Sequence, residues 1–400
     1  VRSDAAAHER DGAAVDFELS EEQVALGEAT RALLAQRWRH DRCRAALDNP
    51  PVRLPEDLAD ELAAAGWTGM MTDPELGGSG ADVTTTCVLA EEAGRALLPA
   101  APFSSLVAAV ALERSGDDRV RPLVNELAGG TRHAVCAVEE PSGGWGPDAV
   151  TLAAHPEGDD LVLSGTKVLV ADTEDVDHLL VAARGPSWLG FVLVAADAPG
   201  VTIAPMRRLD AQSIAEVLLD GVRVPTDALL GGPSGAETVL RDAYDLATVL
   251  LCADLLGAAE AVLAVAVEYA AQRVQFGHPI GSFQAVAHPL ADRKVEVEIG
   301  RSLLYAACLA LDEGHPGAPA HVSAAKAWLG DTAVQTAETA LAVHGGIGFT
   351  WELDVHLYLR RALAGASSLG DADHHRDRVA DLLDAGLLDQ GEPADTTTGG

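Results

Sequence analysis

The spacing of apolar residues changes twice along the chain, from helical to strand-like and back again, and few architectures accommodate that order. From Phe17 to about Leu112 the period is helical. It opens on Leu19-Ser20-Glu21-Glu22-Gln23, where Ser20 is predicted to cap the first turn and Gln23 to close a capping box. Residues 54–66 read as a helix opened by Pro55 and closed by Gly66, and residues 74–80 as a turn. Near Arg132 short β-branched runs begin: residues 133–138, 149–153, 160–165, 166–170, 178–183, 189–194 and 215–224. Their spacing, roughly ten residues, predicts a small barrel or sandwich. After Gly232 the helical period returns and runs to about Leu387, notably over 236–275 and 281–313. The expected organisation is α+β in three domains: helical over 15–131, β over 132–231, and a helical bundle over 232–389. A tail over 390–400 and the first dozen residues, both without apolar periodicity, are expected to be disordered.

Charge and cysteine content exclude several classes of function. With 61 acidic against 28 basic residues the formal charge is −33, which repels a nucleic-acid backbone. An anionic cofactor is still compatible, because a few placed arginines and backbone N–H groups decide such a site locally. Cys43, Cys87, Cys136, Cys252 and Cys308 are scattered without ligand spacing and read as reduced, mostly buried thiols; no metal site is expected. The apolar stretch 247–267 contains Asp254 and Glu260, which favours a buried core helix over a membrane span. The polar start lacks a secretory pattern, so a cytoplasmic location is expected.

Two segments carry candidate chemistry. Arg273-Val274-Gln275-Phe276-Gly277-His278-Pro279-Ile280-Gly281-Ser282-Phe283-Gln284 breaks two long helices with a Gly/Pro corner bearing a guanidinium, an aromatic ring and an amide. Such a corner offers a charge to a pyrophosphate, or is a helix hairpin with a solvated Arg. Val343-His344-Gly345-Gly346-Ile347-Gly348-Phe349-Thr350-Trp351-Glu352 holds three glycines within four residues, more than a plain helix–helix turn requires. Both segments resemble signatures of the acyl-CoA dehydrogenase family, as do residues 17–23 and Val138-Glu139-Glu140-Pro141-Ser142-Gly143-Gly144, and so does the three-domain layout along nearly the whole chain. The resemblance implies a middle β domain and a C-terminal four-helix bundle with FAD between them, shared across a subunit contact. Arg273 would face the pyrophosphate, Phe276 and Gln284 the adenosine half, and Gly345 and Gly346 a neighbouring subunit's cofactor, with Val138 and Ser142 also at the cofactor. It further implies α,β-dehydrogenation of an acyl-CoA thioester by a carboxylate base, electrons passing to an electron-transferring flavoprotein, and a homo- or hetero-oligomer.

The pattern departs from the family where the base belongs. Counting from the glycines, the family's glutamate position falls on Leu369; an alternative position in the preceding long helix falls on Ala247, followed by Thr248. Leucine and alanine accept no proton. Asp371 and Asp245 are the acids nearest these positions and are the candidate catalytic residues, although a capping or solvated Asp is the commoner role. His374-His375 reads as a solvated helix face. Leu169 and Ala171 replace the Trp and Thr that contact the flavin ring in the family, Ala342 replaces a Gln at the adenine end, and Pro289 lies inside a helix. Three functions are compatible with this pattern: a dehydrogenase with a relocated base, a non-catalytic partner in a heterotetrameric dehydrogenase, and a flavin-dependent oxygenase on the same fold.

Overall fold

The structure is a computed structural model that describes residues 19–386. Phe17, the first dozen residues and the 390–400 tail lie outside the described residues.

Six helices form the N-terminal domain: α1 (Glu21–Arg37), α2 (His40–Asp48), α3 (Glu56–Ala64), α4 (Val83–Arg95), α5 (Ala101–Arg114) and α6 (Arg121–Ala128). Local chemistry sets their ends. The Ser20 Oγ accepts the Gln23 N–H at 3.2 Å while Gln23 Oε1 accepts the Ser20 N–H at 3.0 Å, completing the capping box. Pro55 caps α3 and Gly66 leaves it at φ +84°.

Two sheets follow. One has the order β1-β4-β5, from Ala134–Ala137, His178–Arg184 and Leu189–Ala195, with β1 parallel to β4. The other is antiparallel with the order β2-β3-β7-β6, from Ala154–Glu157, Asp160–Ala171, Ile214–Pro225 and Val201–Met206. Leu163, Val181, Val192 and Val217 fill the space between them, as in a sandwich. The two runs expected over 160–165 and 166–170 are a single strand, bent by register shifts at Leu163/Gly165 and Lys167/Val170. Residues 149–153 are not a strand: a tight turn over Pro147–Ala149 takes up the start of this run, and only Ala153 bridges to Arg184. β6 is an unpredicted edge strand, and its Pro205 and mostly solvent-facing residues hide the strand signal.

The third domain comprises α7 (Gly232–Gln272), α8 (Gln284–Asp312), α9 (Ala318–His344), α10 (Val355–Ala366) and α11 (Ala372–Asp384). Helix α7 ends and α8 begins closer to the outer limits of the corner than periodicity indicates, because a minimal hairpin, Val274–Gln275 against His278–Pro279, occupies the space between them. Pro289 sits within α8 without ending it. The apolar α7 is a core helix, packed against α4, α8, α9 and α10. Its acids are neutralised internally: Asp254 pairs with Arg361, and Glu260 with Arg95 and Arg301. At the α4–α7 crossing Gly94 and Gly257 let the backbones touch; a Cβ at Gly257 would overlap the Glu91 carbonyl oxygen, and one at Gly94 that of Asp254.

Candidate functional site: a cavity and an exposed corner

The three domains enclose a cavity of about 290 Å³. Phe103 and Val107 of α5 close one side, the β3 bulge supplies Val168 to Ala171, and α7 contributes Ala243, Tyr244, Ala247 and Leu250. Leu369, from the loop after α10, completes the wall. The fold therefore brings Val138, Leu169, Ala171, Ala247 and Leu369 to one cavity from four separate stretches of sequence.

The Leu369 loop is held from behind. Lys326 of α9, fully buried, donates from Nζ to the carbonyls of Ala366 at 3.0 Å and Gly370 at 2.8 Å. Burial pushes its ammonium down to about 8. The Leu369 carbonyl accepts from His375 Nε2 at 2.8 Å. His375 is fully buried and burial drives its pKa down to about 3, so the ring is neutral. This corrects the solvated face expected for His374-His375: α11 turns His375 inward against the loop. Leu369 itself is left-handed at φ +53°, a conformation that costs a non-glycine residue about 1–2 kcal/mol.

Neither candidate acid lines this cavity. Asp371 is exposed and caps α11, accepting the His374 N–H at 2.9 Å. Asp245 is buried and paired with Arg378 at 2.7 Å. Two acids do face the cavity: Asp254, which is paired with Arg361, and Glu139, which lies beside Tyr244. Glu139 is 8% exposed, and burial pushes its carboxyl up to about 7. Gly146 N–H reaches Glu139 Oε1 only at 3.4 Å, and the hydroxyl of Tyr244 lies beside the same carboxyl without full hydrogen-bond geometry to any described residue. The segment is fixed by fully buried Lys167, which donates to the Val138 carbonyl at 2.9 Å and to Glu140 Oε1 at 2.7 Å. Burial opposes ionisation of Glu140, but hydrogen bonds from Lys167, Thr151 and Leu152 prevail and hold it below the usual carboxylate range. Sequence reasoning missed Glu139. The available signal was the pair of acids that follows an apolar β run directly and precedes Pro141, a place where a carboxyl is carried off the end of a core strand.

The Arg/Phe/Gly corner is the opposite kind of surface. Arg273 and Gln284 are exposed, and Arg273 makes no ion pair among the described residues. Phe276 is 91% exposed at φ +53°, and its aromatic neighbour is Phe283, edge-on at 6.3 Å. Gly345 and Gly346, at the end of α9, are exposed, and a Cβ on either would meet nothing. Phe349 and Trp351 continue this apolar surface at 75% and 56% exposure. Ser142 lies exposed in the turn after Pro141, away from the cavity wall that Val138 joins.

A helical, β and helical chain with an internal three-domain cavity and an anion-ready outer corner defines a class, and comparison with known proteins gives the family. Residues 20–131 match the acyl-CoA dehydrogenase N-terminal domain and residues 238–383 its C-terminal domain. The acyl-CoA dehydrogenase IpdE2 of Mycobacterium tuberculosis is 30% identical over 355 residues, 87% of this chain and 93% of that protein. Among solved structures, the Tcur3481-Tcur3483 steroid ACAD variant is 33% identical, with a TM-score of 0.84 over 92% of this chain and 99% of the other. The ChsE4-ChsE5 complex from Mycobacterium tuberculosis is 27% identical, with a TM-score of 0.85 over 95% and 100%. The chain belongs to the acyl-CoA dehydrogenase family of flavoprotein oxidoreductases.

Tested against a flavin, the two surfaces differ. A flavin ring needs polar groups along its ring-nitrogen edge. In the cavity Ser104 is committed to Asp172, Arg208 to Asp210, Arg361 to Asp254, and Ser368 to the Ala364 carbonyl. Leucine and alanine stand at 169 and 171. Glu139, Tyr244 and the Trp145 indole are the side-chain polar groups left over, and a lining otherwise committed or apolar does not fit the ring's polar edge. The corner, with a free guanidinium, an open aromatic and glycine backbone, fits the phosphate and adenosine end.

Proposed function

We propose that this chain is the non-catalytic subunit of a mixed acyl-CoA dehydrogenase, completing a flavin site whose base and ring-binding wall belong to a sister chain. The observation that supports this reading is the contrast just described: the outer corner offers an unpaired guanidinium, an open aromatic ring and glycine backbone, whereas the inner cavity is lined mainly by apolar side chains. Two of the similar structures are named for pairs of chains, which accords with a mixed assembly. The assembly carries out FAD-dependent α,β-dehydrogenation of an acyl-CoA thioester and passes electrons to an electron-transferring flavoprotein. When bound, FAD supplies the hydride acceptor. Arg273 neutralises pyrophosphate charge, Phe276 packs on the adenosine with Gln284 as its polar neighbour, and Gly345 and Gly346 let the backbone approach closely.

Co-purification with a homologous chain that carries the glutamate tests this. The complex should hold one FAD per pair of chains by flavin absorbance, and Arg273→Ala in this chain should remove most of it although the cavity is untouched. If this chain alone retains stoichiometric FAD and reduces a dye with acyl-CoA, the reading is wrong.

A further inference from the structure

We infer that the cavity between the three domains is itself a binding site for a neutral, largely apolar molecule carrying one carbonyl oxygen, anchored by Glu139 and Tyr244. This rests on the reading that the cavity does not hold a flavin ring. The polar side chains of its wall are otherwise spent: Ser104, Arg208, Asp254, Arg361 and Ser368 are paired as above, and Ser367 bonds the Leu363 and Ala364 carbonyls at 3.2 Å. Apart from the Trp145 indole, Glu139 and Tyr244 alone retain capacity. Both are more than nine-tenths buried, and although they adjoin each other, the phenol makes no bond of full geometry to any described residue, which leaves room for a further partner between them.

The chemistry of the pair selects the ligand. A protonated carboxyl and a phenol each donate, and a carbonyl oxygen has two lone pairs and no hydrogen, so it satisfies both. An anionic ligand would need a cation, but Arg208 and Arg361 are paired with aspartates, and the Lys167 ammonium is turned to Val138 and Glu140. The charged groups around the pair are Lys167 from β3, Glu140 from the same segment, and Asp245 and Arg378 facing Tyr244 from α7 and α11. Burial outweighs Lys167, so Glu139 keeps its proton to about pH 7. The donating pair is therefore complete below neutrality and loses one donor above it. The remaining walls, from Phe103, Val107, Leu169, Leu250 and Leu369, suit an alkyl or alicyclic body.

The test is calorimetric titration of the chain, co-purified with its companion, using 2-octanone as the neutral probe and octanoate as the anionic control. Saturable 2-octanone binding is expected, with octanoate at pH 8 at least about tenfold weaker, since the net worth of one or two hydrogen bonds is of that order. Affinity for the ketone should fall as pH rises through about 7. Glu139→Gln, which keeps a donor but cannot ionise, should flatten that profile, and Tyr244→Phe should weaken binding about five- to tenfold. Absence of saturable ketone binding, equal affinity for octanoate, or a flat wild-type pH profile would overturn the inference; the wild-type profile needs no variant to fold. Flavin absorbance of the same samples separates the two readings. One FAD per pair of chains without ketone binding overturns this inference alone, whereas a flavin released from this chain's cavity by ketone overturns the subunit assignment.

Discussion

Glu139 shows how a single residue carries more than its sequence neighbourhood reveals. Nothing local distinguishes it from Glu140, yet one is held ionised by Lys167 and the other is forced by burial to keep its proton to about pH 7. Its folded pKa lies above the unfolded value, near 4.5, so its contribution to stability is complete below about pH 4.5 and is lost as pH rises through 7. Glu139→Gln should therefore be more stable than the parent above pH 7, by about 3 kcal/mol at most, with the difference vanishing near pH 4.5. Urea unfolding at several pH values reads this directly. Leu369 offers a complementary experiment. Its loop is still tied down by Lys326 and His375, so Leu369→Glu places a carboxyl at the cavity wall. The expected outcome is no dye reduction with acyl-CoA by the variant chain alone, because the wall at Leu169 and Ala171 still lacks ring contacts; turnover at a rate near that of a complete dehydrogenase would refute it.

Among the elements, what was legible depended on whether the determinant was local. The Ser20 capping box and the Pro55/Gly66 limits of α3 lie within a few residues, and the structure reproduces them. The edge strand β6 depends on pairing with β7 and Ala153 on its bridge to Arg184, while His375 turns inward to the Leu369 carbonyl, six residues back in the loop before its helix, and periodicity records none of these. The same holds at the cavity: motif counting singled out Leu369, Ala247, Leu169 and Ala171, whereas the juxtaposition of Glu139 with Tyr244 arises only when the β domain meets α7. The α4–α7 crossing carries its own prediction. A methyl at Gly257 would press on the Glu91 backbone rather than on a movable side chain, so Gly257→Ala should destabilise the fold by about 3 kcal/mol or more, read as a lower urea midpoint.

At the scale of the whole molecule, the chain closes an apolar interior around α7 and yet leaves Phe276, Phe349 and Trp351 in solvent, and Arg273, near Phe276 in the corner, makes no ion pair among the described residues. Large apolar side chains left in solvent accord with the contact to a companion chain proposed above. Size-exclusion chromatography with light scattering should show the chain eluting with its companion as one species, and Phe276→Ser should shift that equilibrium towards separated subunits; an unchanged elution profile would remove Phe276 from the contact.

The open ring of Phe276 also has a consequence for supply. Under the proposed mixed assembly, a chain made in excess of its companion keeps this ring uncovered, so its yield in soluble form should follow how closely the synthesis of the two polypeptides is matched. Placing both reading frames under one promoter should rescue solubility more than lowering temperature or adding flavin to the medium.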